Sequence, residues 1–161
     1  MKHLSSLFIL LHLPAIECLA GDKQDWTTNT LAPGLTIQMP PRFRMTRRRP
    51  TGDFDLIVFK KDSRTVLTVY VGNQPEFPRE KVRCSIKEAT INGLRTESTI
   101  IKRPDRTTSR EVLFHLRDDS DWPQRLHCWY AGSSAFDSAE ADKIISTVRL
   151  ADKPRSKSPT K

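Results

Sequence analysis

Histidine and cysteine are scarce in this chain: its 161 residues hold four of the first and three of the second. Beyond residue 20 only His115, His127, Cys84 and Cys128 are left. A nucleophilic enzyme needs a base beside its nucleophile, yet the sequence carries no Gly-x-Ser-x-Gly, no His-Glu-x-x-His and no glycine-rich phosphate loop. These absences point away from a hydrolase, a zinc peptidase or a nucleotide-dependent enzyme, and toward a protein that is not an enzyme. Nor does any apolar run approach the about 20 residues that a membrane-crossing helix requires, so no transmembrane segment is expected.

Residues 1–20 stand apart from the rest. Lys2 and His3 give a basic start, residues 4–13 are mostly apolar, and Cys18-Leu19-Ala20 offers small side chains at the two positions that a signal peptidase reads. This is the pattern of a cleaved secretory signal, and it implies a periplasmic or secreted protein. A lipoprotein signal fits less well, because Glu17 precedes Cys18 where that processing site takes a small residue. Removing the segment leaves about 140 residues, enough for one core and one domain over 21–150. In an oxidising compartment the two remaining cysteines, Cys84 and Cys128, are expected to form a disulfide. Closing a loop of about 45 residues would contribute about 4 kcal/mol by the chain-entropy argument.

The net charge of +8 is unevenly placed. Lys2 and Glu17 cancel; the tail, residues 151–161, carries Lys153, Arg155, Lys157 and Lys161 against Asp152; and Arg42, Arg44, Arg47, Arg48 and Arg49 make up the rest of the surplus. The remainder of the body is balanced. The tail is Pro, Ser and basic residues with no apolar anchor, the composition of a disordered segment.

The fold is organised around residues 53–73, two runs of β-branched and aromatic residues separated by the polar turn 60–64, which reads as a β-hairpin. Phe54, Leu56 and Val58 point opposite to Ile57 and Phe59, and Leu67, Val69 and Val71 opposite to Val66, Thr68 and Tyr70. Both faces are largely apolar, which places these strands inside a sheet covered on both sides. Before them, residues 34–39 alternate as a short strand ended by Pro40-Pro41, and Phe43 and Met45 alternate with Arg44 and Thr46 in a second. Trp26 is placed to pin an N-terminal strand.

After them, residues 74–78 form an extended surface crossing rich in proline. Residues 85–91 and 94–101 flank Asn92-Gly93 as an edge hairpin. Residues 111–117 and 125–131 form a third hairpin. Pairing His115 with His127 puts Val112, Phe114, Leu116, Leu126, Cys128 and Tyr130 on the core face, and Leu113, His115, Arg117, Arg125, His127 and Trp129 on the other. Asp137-Ser138-Ala139-Glu140 has capping-box spacing ahead of a helix whose buried side is Ala141, Ile144, Ile145 and Val148. The sum is an α+β domain: an antiparallel sheet of about six to eight strands with a C-terminal helix packed on it.

The early strand GLTIQMPPRF, the antiparallel meander and the terminal AEADKIISTVRL helix with its last apolar pair together resemble the PsbP/DcrB-like superfamily. The resemblance covers most of residues 34–150 and rests on the order and spacing of elements. It implies a small α/β/α sandwich and a binding, chaperone or accessory role without a shared catalytic set. Residues 47–52 and the turn 118–121 match nothing in that pattern.

Two constellations invite a metal. Asp118, Asp119 and Asp121 lack the following glycine and distal glutamate of an EF-hand loop, and His115 with His127 would leave zinc short of a third protein ligand. No metal or other cofactor is expected. The arginine cluster, Arg44, Arg47, Arg48 and Arg49 beside Phe43 and Met45, suits docking of carboxylates or phosphates, and Trp129 is the aromatic candidate for the same surface. An exported protein is not expected to meet nucleic acid. The sequence therefore leads to an exported binding protein with an acidic protein partner, such as an immunity protein that neutralises a toxin delivered to the periplasm. An accessory protein binding an anionic lipid or glycan, or a hydrolase with an unrecognised site, are the alternatives.

Overall fold

The computed structural model describes residues 25–48, 53–79, 85–118 and 121–151. In chain order they form β1 (Thr27–Ala32), β2 (Leu35–Met39), β3 (Phe43–Arg48), β4 (Asp55–Lys61) and β5 (Arg64–Gly72). Then come β6 (Lys87–Ile91), β7 (Leu94–Lys102), β8 (Thr108–His115), β9 (Arg125–Ser133), α1 (Ala135–Ile145) and β10 (Arg149–Leu150). Residues 1–24 and 152–161 lie outside the described residues, and with them the expected signal, 1–20, and all but the first residue of the expected tail, 151–161; so do Arg49, Cys84, Asp119 and Ser120.

Seven strands form one antiparallel sheet in the order β3-β4-β5-β9-β8-β7-β6. The β4–β5 turn places Asp62 and Ser63 at φ 50° and 67°, and the β6–β7 turn places Asn92 and Gly93 at 50° and 81°, the mirror-image geometry that matches strand twist. β6 is an edge, as the polar flanks of Asn92-Gly93 lead one to expect. Asn92 also reaches across the fold, donating through Nδ2 to the carbonyls of Ser146 and Val148 at 2.7 and 2.8 Å, and so ties the hairpin tip to the end of α1.

One face of this sheet carries the core. Ile57, Phe59, Leu67, Val69, Leu126 and Phe114 are fully buried there against Leu31, Leu35, Ile37, Ala141, Ile144 and Ile145 from β1, β2 and α1, in a single apolar cluster. Trp26 packs on its margin. A second sheet, β1-β2-β10, thus shares the covering layer with the helix. The α+β class and the C-terminal helix on an antiparallel sheet are as the sequence indicates. A second helical layer, as in an α/β/α sandwich, is not found among the described residues.

Four details differ from the sequence reading. The helix begins earlier than the Asp137 capping box: Ser134 is the N-cap, its Oγ accepting from Asp137 N at 3.2 Å, because a serine three residues upstream makes Asp137 the third helical residue. Glu140 is then buried and anchors α1 to the sheet through Arg42 and Lys61, the latter at 2.7 Å. In the third hairpin His115 faces Arg125 and His127 faces Leu113. The register is displaced by two residues from the His115–His127 pairing, and an even displacement leaves every side chain on its expected face. Cys128 is a free thiol, fully buried between Val69 and Val112 on the core face, where the sequence reading expected a bridge to Cys84, a residue that lies outside the described ones. The fourth difference is the second face of β4 and β5, which no layer of the described residues covers on the side of β3, where Arg44, Thr46 and Arg48 stand in place of apolar residues.

Candidate functional site

That face gathers Phe54, Tyr70 and Trp129 together with Arg44, Arg48, Lys60 and Arg79. Pairing aligns Thr46, Val58, Thr68, Trp129, Glu111 and Thr99 in one row across the strands, and Arg48, Leu56, Tyr70, His127, Leu113 and Glu97 in the next. The rows are exposed at β3, half-buried at β4 and β5, and buried beyond them at His127, Glu111, Leu113 and Thr99.

Between Trp129 and the stacked pair Phe54–Tyr70 (centroids 5.0 Å, interplanar 24°) lies a cleft of about 600 Å³. Its floor includes Leu56 and its rim Asp53, Asn73, Gln74 and Glu76. Glycine at position 72 makes this geometry possible: a Cβ there would stand 2.6 Å from Tyr70 Oη and 2.8 Å from Phe54 Cβ. Tyr70 Oη in turn accepts from Gln74 N at 3.3 Å, fixing the start of the 73–79 crossing.

The far wall is held from beneath by a buried polar pair. Glu111, 6% exposed, accepts the Arg79 backbone N–H through both carboxylate oxygens at 2.9 and 3.1 Å and the His127 ring at Oε2, 3.0 Å away. Phe77 rests edge-on against His127 with centroids 5.4 Å apart, and the Arg79 guanidinium lies 4.3 Å over the Trp129 ring. Burial dominates at His127: it drives the imidazole from 6.5 to about 4 despite the neighbouring Glu111 carboxylate, so the ring is neutral at pH 7 and Nε2 is the donor. The proline-rich crossing is therefore more than a surface loop: the Glu111 carboxylate fixes its end at Arg79 against the wall of the cleft.

A second, shallower groove of about 270 Å³ adjoins the cleft at Leu56. It runs toward β3 between Arg48 and Lys60, over Val58, with Thr46, Thr65 and Thr68 along it.

The arginine cluster is divided by the alternation of β3. Arg44 and Arg48 are exposed on the open face. Arg47 turns to the opposite face, donating to the carbonyls of Thr30 and Leu31 at 3.0 and 2.8 Å and standing 3.4 Å from Asp55. Trp129 lines the cleft, so it shares a face with Arg44 and Arg48 but not with Arg47. His115 and His127 do not share a site: His115 is held by Glu97 at 2.7 Å and Arg95 at 3.2 Å, and His127 by Glu111. Among the described residues no three His, Cys, Asp or Glu side chains come together as a metal would need.

No protein-family model matches the chain, and no curated protein or solved structure matches it at a significant level. The reading of the site therefore rests on its own geometry. Of the residues singled out in the sequence, Trp129, Arg44 and Arg48 lie on this face and Arg47 does not; Phe54 and Tyr70, which the sequence reading places on a covered hairpin face, and Arg79, which it places in a charged surface loop, also lie there.

Proposed function

We propose that this chain is an exported, non-enzymatic binding protein that engages another protein through the open face of its large sheet. The observation that carries this reading is the convergence of Trp129, Tyr70, Arg79 and Arg48 on one uncovered surface with a cleft between them. Tryptophan, tyrosine and arginine are the residues in which interface energy concentrates, because each offers a large contact area together with a polar handle. Support for binding rather than turnover comes from the histidines. His127 is closed off beneath Phe77, and both nitrogens of His115 are engaged, so neither ring is placed to exchange a proton with a bound substrate.

The concrete version is an immunity-type protein of the periplasm whose partner is acidic where it meets Arg44 and Arg48. A binding role is also what the PsbP/DcrB-like resemblance implies. Export rests on residues 1–20, which carry the signal pattern.

The test is affinity capture of the full chain from periplasmic extract of its own host, with Arg48→Glu, Trp129→Ala and, as control, Ile100→Ser on the opposite face. A stoichiometric protein held by the parent and the control, and released by the first two variants and by high salt, is the expected result. Capture that is equal for all four forms, or no stoichiometric protein, would overturn the proposal.

A further inference from the structure

The basic side chains of β3 and β4 fall into two groups with opposite fates. On and around the helix-side face Arg42 and Lys61 meet Glu140, Arg47 meets Asp55, and Arg64 meets Asp137. On the open face Arg44, Arg48 and Lys60 meet no carboxylate among the described residues. Arg44 and Lys60 moreover stand directly opposite each other across the β3–β4 ladder, an arrangement that like charges disfavour. Four nearby cations are thus neutralised within the fold, while Arg44, Arg48 and Lys60 present concentrated positive charge that an anionic partner would relieve.

The surroundings specify that anion further. From Arg48 and Lys60 the shallow groove continues over Val58 and Leu56 into the aromatic cleft, with threonine hydroxyls beside the cations. Arg48 is level with Leu56 and Tyr70, and Thr46 with Val58, Thr68 and Trp129, so the basic side of β3 and Trp129 on β9 are three strands apart, about 14 Å at about 4.8 Å per strand, the reach of about four residues of extended chain. The far rim carries Asp53 and Glu76, which disfavour negative charge at that end. We infer that the groove holds an extended segment of the partner protein with carboxylates at one end, seated between Arg44, Arg48 and Lys60, and an aromatic side chain at the other, seated between Trp129 and Tyr70.

A lipid headgroup would occupy only the basic end and leave the cleft unused. A polyanionic glycan would bring charge along its whole length against Asp53 and Glu76. The apolar strip of Val58 and Leu56 joining the two ends suits a peptide whose charge is confined to one of them. The inference rests on the protein-binding reading above and adds to it the chemistry and direction of the bound segment.

The experiment uses the purified full chain and fluorescein-labelled synthetic hexapeptides read by anisotropy: one with three aspartates followed by two alanines and a tryptophan, one with the reverse order, and one with asparagine for aspartate. Vesicles containing phosphatidylglycerol and a sulfated glycan complete the set. The acidic-to-aromatic peptide is expected to bind at least tenfold more tightly than either of the others. Arg48→Ala with Lys60→Ala should weaken it tenfold or more while leaving the circular dichroism spectrum unchanged. Trp129→Ala should erase the preference for tryptophan over alanine at the last position and keep the preference for aspartate. Equal binding of forward and reversed peptides, indifference to the double variant, or binding of vesicles or glycan in place of peptide would overturn the inference. Capture of a stoichiometric partner that is lost with Trp129→Ala, alongside no peptide preference, would overturn the groove assignment and leave the protein-binding reading standing.

Discussion

His127 donates through Nε2 to Oε2 of Glu111 at 3.0 Å, and both groups are buried beneath the wall of the cleft. Glu111 also receives the Arg79 N–H, so one carboxylate couples the imidazole to the crossing that frames Trp129. Glu76 and Arg79 are the other charges acting on the ring, with opposite signs.

This arrangement sets a pH dependence. The folded imidazole titrates at about 4 against 6.5 for the ordinary side chain. The unfolded chain therefore binds the proton more readily, and stability is lost as pH falls from about 6.5 toward 4. Urea unfolding of the parent and His127→Gln at pH 7 and pH 5 should show a smaller drop for the variant. Parallel behaviour of the two would contradict the assignment.

The second prediction separates two neighbouring arginines. Arg47→Ala removes donors from the carbonyls of Thr30 and Leu31 in β1 and a cation from Asp55. Hydrogen bonds to charged groups support a cost of about 1–2 kcal/mol once the partial exposure of this side chain is allowed for. Arg48→Ala touches only an exposed side chain and should stay within about 0.5 kcal/mol. Thermal melts of the two variants read the difference directly, and equal melting temperatures would refute it.

Much of the scaffold could be read from residue order. Ile57, Phe59, Leu67 and Val69 alternate with partners of the other face, and Asn92-Gly93 announces its own turn. Alternation fixes only parity, which is why the third hairpin keeps its faces while His115 meets Arg125 instead of His127. The site was harder to see because it is built across the fold. Phe54, Tyr70, Arg79 and Trp129 come from separate segments, and the residue that arranges them, Glu111, is a charge buried at a strand position that a two-residue period treats as outward. The arginine run shows the reverse problem. Five basic residues close in sequence look like one patch, and the pleat sends Arg47 away from Arg44 and Arg48.

The third prediction concerns Cys128. Burial raises its thiol pKa, and the side chain is fully enclosed between neighbouring strands. In the folded protein it should resist iodoacetamide and become alkylated only after denaturation without reductant. Mass spectrometry of peptides containing residue 128 would decide the matter; an unalkylated Cys128 linked to Cys84 would show that the thiol is not free.

The last prediction is about Gly72, where the absence of a side chain is itself a structural element. A methyl group there would meet Tyr70 Oη at 2.6 Å, Tyr70 Cζ at 2.8 Å and Phe54 Cβ at 2.8 Å, closer than such atoms approach. The backbone at this position pairs with Arg125 of β9 and cannot easily retreat, so the Tyr70 ring must leave its stack on Phe54. Overpacking of this kind costs about 1–3 kcal/mol. The distinctive consequence lies in the cleft. Gly72→Ala should displace the Tyr70 hydroxyl from Gln74 N, loosen residues 73–79 and alter near-ultraviolet circular dichroism from the aromatic cluster while the far-ultraviolet spectrum holds. Removing the hydroxyl with Tyr70→Phe in the Gly72→Ala background relieves the shortest contact and should recover part of the lost stability. A Gly72→Ala protein with parental stability and an unchanged near-ultraviolet spectrum would mean that Tyr70 does not lie over position 72.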